Sequence, residues 1–365
     1  MQPSKIQIKW LGWRNRLLGS ARFRTWAAAF PLTRPIARRR AKAMFDINAG
    51  FIHSQIAMAM VETGLIVRLA AGPLSVADAA GHAVLPLEAA ERLLKAAASL
   101  ELAQRLVDGR YMLGALGAAL HGNRGIAEMI DHHRHLYVDL ADPVALLRRG
   151  GGGGALAHYW AYARADDPAS SADGSVAAYS ELMAASQSMV AEQVITAYDF
   201  GKHRRLLDVG GGQGVFARAV KAAKPGIDIA LFDLPAVAAR AGDIEAHGGN
   251  FFEDPLPSGY DLVSLVRILH DHDDDAAMKL LRNIARSLPT GGRLMIAEPM
   301  AATRGAESMG DGYFGVYLWA MGSGRPRTKA EIGAMLQDAG FGEMHEYPTN
   351  LPLITRVVTA VRSKA

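Results

Sequence analysis

Cysteine is absent from all 365 residues. Disulfide frameworks, thiolate metal sites, iron–sulfur clusters and cysteine nucleophiles are therefore excluded together, which fits a reducing or neutral compartment. Also missing is any run of eighteen uninterrupted apolar residues, so no segment reads as a membrane-spanning helix. The N-terminus lacks the continuous apolar core and small-residue cleavage site of a secretory signal, and the expected location is cytoplasmic. No internal repeat of fixed period is visible. With 50% apolar and 21% charged residues, the chain has the composition of a packed globular protein rather than a disordered one. Its length exceeds what one core usually fills, so two domains of unequal size are expected.

Asp and Glu are missing altogether from residues 1–45, a stretch that carries eleven cations: Lys5, Lys9, Arg14, Arg16, Arg22, Arg24, Arg34, Arg38, Arg39, Arg40 and Lys42. The whole chain has a net charge of only +4, so the body beyond this basic arm is mildly acidic. Trp10, Trp13 and Trp26, three of the five tryptophans, are interleaved with those cations as they would be in an interfacial membrane segment. Anionic lipid at the inner or an intracytoplasmic membrane is one expected partner of the arm. The other is a second subunit on which a solvated arm packs. An Arg-rich, acid-poor transit peptide shares the charge balance, but tryptophans and prolines fit that reading poorly.

From Ala41 to about Ala70, and from Leu87 to Leu102, apolar residues recur at helical spacing, with Pro73 and Pro86 as breaks. Leu102–Val107 and Tyr111–Leu113 flank Asp108-Gly109, the signal of a type I′ hairpin. Helices followed by a hairpin have the form of a winged helix, which raises DNA binding. The candidate recognition helix opposes it: Glu88, Glu91, Arg92, Lys95 and Glu101 leave no basic face for phosphates, and no nucleic-acid partner is expected. Five glycines at 150–154 and the polar stretch 165–175, around the helical segment HYWAYARA, read as flexible connections. A long helical pattern spans Val176–Phe200. Beyond it the rhythm changes to short apolar runs rich in β-branched residues, RLLDVGG, DIALFDL, DLVSLVRIL and RLMIAEP, alternating with helices. That is a mostly parallel three-layer α/β sheet, with LITRVVTAVRS as an antiparallel closing strand. The expected organisation is a basic arm over 1–45, a helical winged-helix-like domain over 46–200 and a Rossmann-like domain over 201–365.

The first of these strands ends in Asp208-Val-Gly210-Gly-Gly212-Gln-Gly214 and runs straight into the helix VFARAVKAA. Glycines at a strand-to-helix turn let a ligand approach the backbone and leave helix N–H groups free to bond it. The second strand ends at Asp233, beside that turn, where a carboxylate can accept both hydroxyls of a ribose. Adenosine recognition follows, with NAD or S-adenosylmethionine as the cofactor. The run His270-Asp271-His272-Asp273-Asp274-Asp275 is readable as a metal cluster. Acidic residues preceding a helix are more simply its N-terminal caps, and no metal is expected. Asp131-His132-His133-Arg134-His135 is a similar decoy on a helix that lines a pocket.

Asp208 and the glycine turn, Gly249-Asn250-Phe251-Phe252 with Asp254-Pro255-Leu256-Pro257, ILHDHDDD and LPTGGRLMIAEP together resemble the S-adenosylmethionine-dependent small-molecule O-methyltransferases. The likeness covers most of the chain. It implies an N-terminal winged-helix-like dimerisation and substrate domain, a C-terminal class I methyltransferase sheet and a homodimer. Carried over by motif, Asp208, Gly210, Gly212 and Asp233 would contact S-adenosyl-L-methionine, and Asn250 and Phe251 would hold and stack its adenine. His270 would be the general base, with Glu298 orienting its imidazole. Three positions depart from the family pattern. Asn250 stands where Asp is frequent, Pro326 falls at a second carboxylate position, and Val266 replaces a common Lys, with Arg267 beside it as the substitute cofactor contact.

Met183, Tyr313, Tyr317 and Met321, with His133, Tyr137, Met189 and Trp319, would line an apolar, adaptable substrate cavity. The stretch WRNRLLGSARFRTWAAAFPLTRPIARRRAKAMFD, HHRHLYVDLADP and YFGVYLWAMGSGRPRT resemble the bacterial hydroxyneurosporene-type carotenoid O-methyltransferases in particular. That likeness implies a lipophilic substrate methylated on a tertiary hydroxyl. A bacteriochlorophyll C-methyltransferase and a polyketide or aromatic O-methyltransferase are the alternatives within the superfamily. Outside it stand an NAD-dependent dehydrogenase, a winged-helix regulator and a methyltransferase-like protein that has lost its activity.

Overall fold

The computed structural model describes residues 4–160 and 186–364. The chain divides into two compact units, Met1–Ala118 and Ala119–Ala365, whereas the sequence pattern had carried the helical domain to residue 200. In the first unit, α1 (Lys5–Gly19), α2 (Ala21–Ala29) and α3 (Arg34–Glu62) precede α4 (Leu65–Ala70), α5 (Val76–Ala83) and α6 (Leu87–Ser99). Ser4 and Ser20 cap α1 and α2 through their hydroxyls, and Ser75 with Asp78 forms a capping box on α5. The helical pattern through Ala70 is two helices, because Gly64 takes a φ of 68° between α3 and α4.

β1 (Ala103–Arg105) and β2 (Tyr111–Leu113) form the expected hairpin, but its turn is not type I′. Gly109 N–H donates to Leu106 O at 3.1 Å, only Gly109 has positive φ, and Leu106 N–H donates to Arg110 O at 2.8 Å. This is a type I turn closed by a left-handed glycine, the usual three-residue hairpin loop. Leu74 pairs with Tyr111 as a one-residue bridge that nothing in the sequence marks. Helix α7 (Ala115–His121) spans the division between the units.

The second unit begins with α8 (Arg124–Asp139), α9 (Pro143–Arg148), α10 (Ala155–Tyr159) and α11 (186–197). It continues through β3 (Arg205–Val209), α12 (Val215–Ala223), β4 (Asp228–Asp233), α13 (Pro235–Ala238), β5 (Glu245–Gly248), β6 (Leu262–Val266), α14 (Asp274–Ser287) and β7 (Arg293–Glu298). A π-helical turn (Ser308–Phe314), α15 (Gly315–Met321), α16 (Lys329–Asp338), β8 (Phe341–Tyr347) and β9 (Arg356–Arg362) complete it. The strands form one sheet in the order β5-β4-β3-β6-β7-β9-β8. The first five are parallel, as the alternation predicts, and β9 alone runs against its neighbours. β9 does not close the sheet; it inserts between β7 and an unforeseen edge strand, β8.

Both faces of the central strands are buried. Leu207 and Val209 pack with Leu280, Leu281 and Ile284 of α14, while Leu206, just before them, packs with Phe216 and Val220 of α12. Continuous apolar runs, rather than alternating ones, are what this requires. The strand order reverses between β3 and β6, which opens a crevice at their carboxyl ends, where open α/β sheets bind ligands.

The glycine run is a built loop. Gly150, Gly151, Gly152 and Gly153 all have positive φ, and Gly152 N–H donates to Trp319 O at 2.9 Å. Asp139 accepts from the N–H groups of Ala155 and Leu156, so it caps α10 beside Gly154. The second polar stretch, 165–175, lies outside the described residues, as does Met183. A Cβ at Gly154 would stand 1.9 Å from Asp139 Oδ1. Gly154→Ala is therefore expected to cost about 1–3 kcal/mol by displacing that carboxylate, read as a lowered midpoint in thermal unfolding.

Candidate active site

The glycine turn after β3 is shaped by close approach. A Cβ at Gly210 would lie 2.4 Å from Ile268 Cδ1, and one at Gly211 would lie 2.9 Å from Leu231 Cβ. Gly210, Gly212 and Gly214 have φ of 73°, 58° and 79°, and Gly212 faces open space. Asp233 at the end of β4 accepts from Gly212 N–H through Oδ2 and from Leu234 N–H through Oδ1, at 2.8 and 2.7 Å. These bonds hold its carboxylate against the turn, with lone pairs left over for a ligand. Burial raises the carboxyl to about 6 even so.

Asp208 lies beneath the same turn, buried. Ser264 Oγ on β6 donates to its Oδ1 at 2.6 Å, and Oδ2 has no hydrogen-bond partner among the described residues. Its carboxyl rises to about 7 through burial. The glycine cradle, the exposed side of Gly212 and these two carboxyls fit a nucleoside cofactor with hydroxyl and ammonium donors.

Asn250 and Phe251 follow β5. Asn250 Oδ1 accepts from Phe252 N–H at 3.0 Å, so one lone pair of the expected adenine acceptor is used within the loop. Phe251 and Phe252 meet edge-on at 4.6 Å between ring centroids, both against His272. Asn283 on α14 donates from Nδ2 to Phe251 O and Asp254 O, each at 2.8 Å, and so fixes the loop. Sequence reasoning missed Asn283. Its signal is a polar residue next to Ile284 on the buried side of a helix.

His270 sits in a short 3₁₀ turn (Leu269–Asp271) and is 2% exposed. The structure corrects the expected role of Glu298. Its Oε2 accepts from the His270 backbone N–H at 3.0 Å, while Glu298 Oε1 and His270 Nδ1 are both left without partners among the described residues. The carboxyl beside the imidazole is that of Asp271, with Oδ1 3.3 Å from Nε2. Burial, then the charges of Arg267 and Arg327, lowers His270 to about 3, so its imidazole is neutral. Burial raises Asp271 to about 7 and Glu298 to about 8.

Arg327 is fully buried and was also missed. It donates to Leu269 O at 2.8 Å, to His272 O at 2.7 Å and to Asp274 Oδ1 through Nε and Nη2. The aspartates after His270 stand at the start of α14 as expected, Asp273 as N-cap and Asp274 and Asp275 in the first turn, but Asp273 makes no side-chain capping bond: its Oδ1 accepts from Gly324 N–H, and Asp274 pairs with Arg325 and Arg327. Arg267 has a left-handed φ of 61°, and its Nη1 donates to Ser186 Oγ at 2.7 Å. Such strain in a non-glycine residue is typical of functional loops.

The two adjacent histidines of α8 meet two tyrosines one turn apart. His132 Nε2 lies 2.7 Å from Tyr317 Oη, which also accepts from Trp160 Nε1, and His133 Nε2 lies 2.6 Å from Tyr313 Oη. Met321 and Tyr317 are buried in a cluster with Leu136, Leu146 and Leu156. Tyr313 is half-buried, and its neighbour Phe314 packs 5.5 Å from the His270 ring.

Known proteins agree with this geometry. A family model described as an O-methyltransferase domain matches residues 137–342. The chain is 41% identical to demethylspheroidene O-methyltransferase of Cereibacter sphaeroides, over 95% of this chain and 94% of that one. It is 38% identical to the enzyme of the same name from Rhodobacter capsulatus, over 99% and 91%. Among solved structures, human N-acetylserotonin methyltransferase in complex with SAM superposes with a TM-score of 0.75 at 24% identity, covering 89% of this chain and 98% of that one. Mitomycin 7-O-methyltransferase gives 0.73 at 25%, covering 90% and 100%.

Fold and site thus define a class I methyltransferase. The chain belongs to the O-methyltransferase family and is an S-adenosylmethionine-dependent enzyme, which decides between the two cofactors that the glycine turn left open.

By calorimetry, Asp233→Ala is expected to weaken S-adenosylhomocysteine binding at least tenfold, and Gly210→Ala to abolish it. With Asp233 raised to about 6, its carboxylate accepts hydroxyls above that pH and is protonated below it. Affinity should fall as pH drops through 6, with Asp233→Asn removing that step.

Proposed function

We propose that this O-methyltransferase methylates the tertiary hydroxyl of an acyclic carotenoid of the hydroxyneurosporene type, with His270 as general base. Identity of 41% to a demethylspheroidene O-methyltransferase across nearly the full length of both chains carries this reading. A buried base walled by Phe314 supports it, since a lipophilic substrate loses little on entering a dry site. The helical N-terminal unit, with its hairpin, serves as a winged-helix-like dimerisation unit, and residues 1–45 bring the enzyme to a membrane surface where such a substrate resides.

The cofactor supplies a methyl group on a positively charged sulfur, an electrophile that needs little further activation. The protein contributes position and a proton acceptor. With Nε2–H turned to Asp271 Oδ1, the lone pair of His270 lies on Nδ1, the atom without a partner. A tertiary alcohol is far less acidic than a phenol, so Nδ1 would accept its proton as the oxygen took the methyl group and the electron pair of the broken methyl–sulfur bond stayed on sulfur. Glu298 and Arg327 act on the backbone around the base, and Asp271 acts on its tautomer. Arg267 is the further cation beside the cofactor crevice.

Incubation with S-adenosylmethionine and a hydroxylated acyclic carotenoid in micelles should yield the methyl ether. His270→Gln should lower kcat by about 10²–10⁴ while cofactor affinity is kept. Methylation of a planar phenol with no transfer to the carotenoid would overturn the substrate.

A further inference from the structure

The first unit leaves its basic arm largely uncovered. Ile6, Trp10 and Trp13 recur at i, i+4 and i+7 of α1, so they share one face, and each is more than half exposed. Lys9 and Arg14 flank that face at roughly 70° on either side by helical geometry. Trp26 stacks on Phe30 at 5.2 Å with its own surface half exposed, and Leu32 and Ile36 are exposed between α2 and the first turn of α3. Arg38, Arg39, Arg40 and Lys42 follow on α3. Among the described residues, Lys42 alone of the arm's eleven cations makes an ion pair, with Asp46.

We infer that residues 4–42 dock in the plane of an anionic lipid bilayer, with Ile6, Trp10 and Trp13 entering the headgroup boundary and the cations on lipid phosphates. The inference rests on the reading of the arm as a membrane contact and names the lipid chemistry, the inserting side chains and the orientation. Three observations carry it. The surface combines aromatic side chains with one sign of charge, the complement of an anionic interface. Apposing two such arms would bring cation against cation with no acidic residue to relieve them. Among the described residues no helix is long and apolar enough to cross a membrane, so the contact lies on the surface.

The test is co-sedimentation of the full chain with vesicles of phosphatidylcholine alone and of phosphatidylcholine mixed with phosphatidylglycerol. Light scattering reports the oligomeric state, and calorimetry reports S-adenosylhomocysteine affinity. Partition is expected into the anionic vesicles only, weakening as salt rises. Each cation near an anionic surface adds about fivefold, so R38Q/R39Q/R40Q should lower partition about a hundredfold. W10S/W13S should lower it at least tenfold, with mass and cofactor affinity unchanged in both variants. Absence of partition, equal partition into neutral vesicles, or variants that change the mass and leave partition intact would overturn the proposal, the last by showing a second copy of the chain as the occupant. Cofactor affinity is read separately, so failure of the lipid contact stays distinct from failure of the methyltransferase reading.

Discussion

A buried arginine, bonded to two backbone carbonyls and one carboxylate, holds the loop that carries His270. Arg327 is excluded from solvent, and an uncompensated guanidinium there would be strongly destabilising. It is compensated by the carbonyls of Leu269 and His272 and by Asp274, which together fix the chain from 269 to 274. From the opposite side, Glu298 takes the His270 backbone N–H. Gly324 passes so near that a Cβ there would lie 2.1 Å from His270 O. The imidazole is thus placed through its main chain, while its Nδ1 is left without a partner among the described residues.

The same arrangement sets the electrostatics. Burial, then the charges of Arg267 and Arg327, disfavours a second proton on the ring, so the His270 imidazole is neutral. The cofactor crevice is built by the opposite means. Glycines clear space at the end of β3, and Asp233 is held against the turn by two backbone N–H groups. Asn283 clamps the Asn250–Asp254 loop from α14. The glycine turn and the loop of His270 meet at Gly210 and Ile268, where no room is left for a side chain.

The parts of this account legible in the sequence are those written locally. Strands β3, β4, β6 and β7 are largely apolar runs because both their faces are covered. The glycine turn and Asp233 are read from adjacent residues. Edge strand β5, Glu-Ala-His-Gly, has neither pattern nor propensity, and β8 alternates too weakly to be seen. The hairpin was visible, but its turn type depends on whether Asp108 adopts positive φ, which the dipeptide alone does not decide. The partners of His270 were hidden for another reason. A carboxylate on β7 was expected near His270, yet only coordinates distinguish a bond to its backbone from one to its ring. The His132–Tyr317 and His133–Tyr313 pairs span 185 and 180 residues, beyond any local signal.

The central claim is that the loop anchored by Arg327 and Glu298 presents a buried, neutral imidazole. Its most direct test is nitrogen NMR of the ¹⁵N-histidine-labelled enzyme, with His270 assigned by loss of its signal in His270→Gln, followed from pH 8 to pH 4. The account predicts ring shifts of a neutral imidazole throughout that range, in keeping with a value of about 3. Titration of His270 near its ordinary value of 6.5 would contradict it, because an imidazole so placed would be solvated and free of the neighbouring cations.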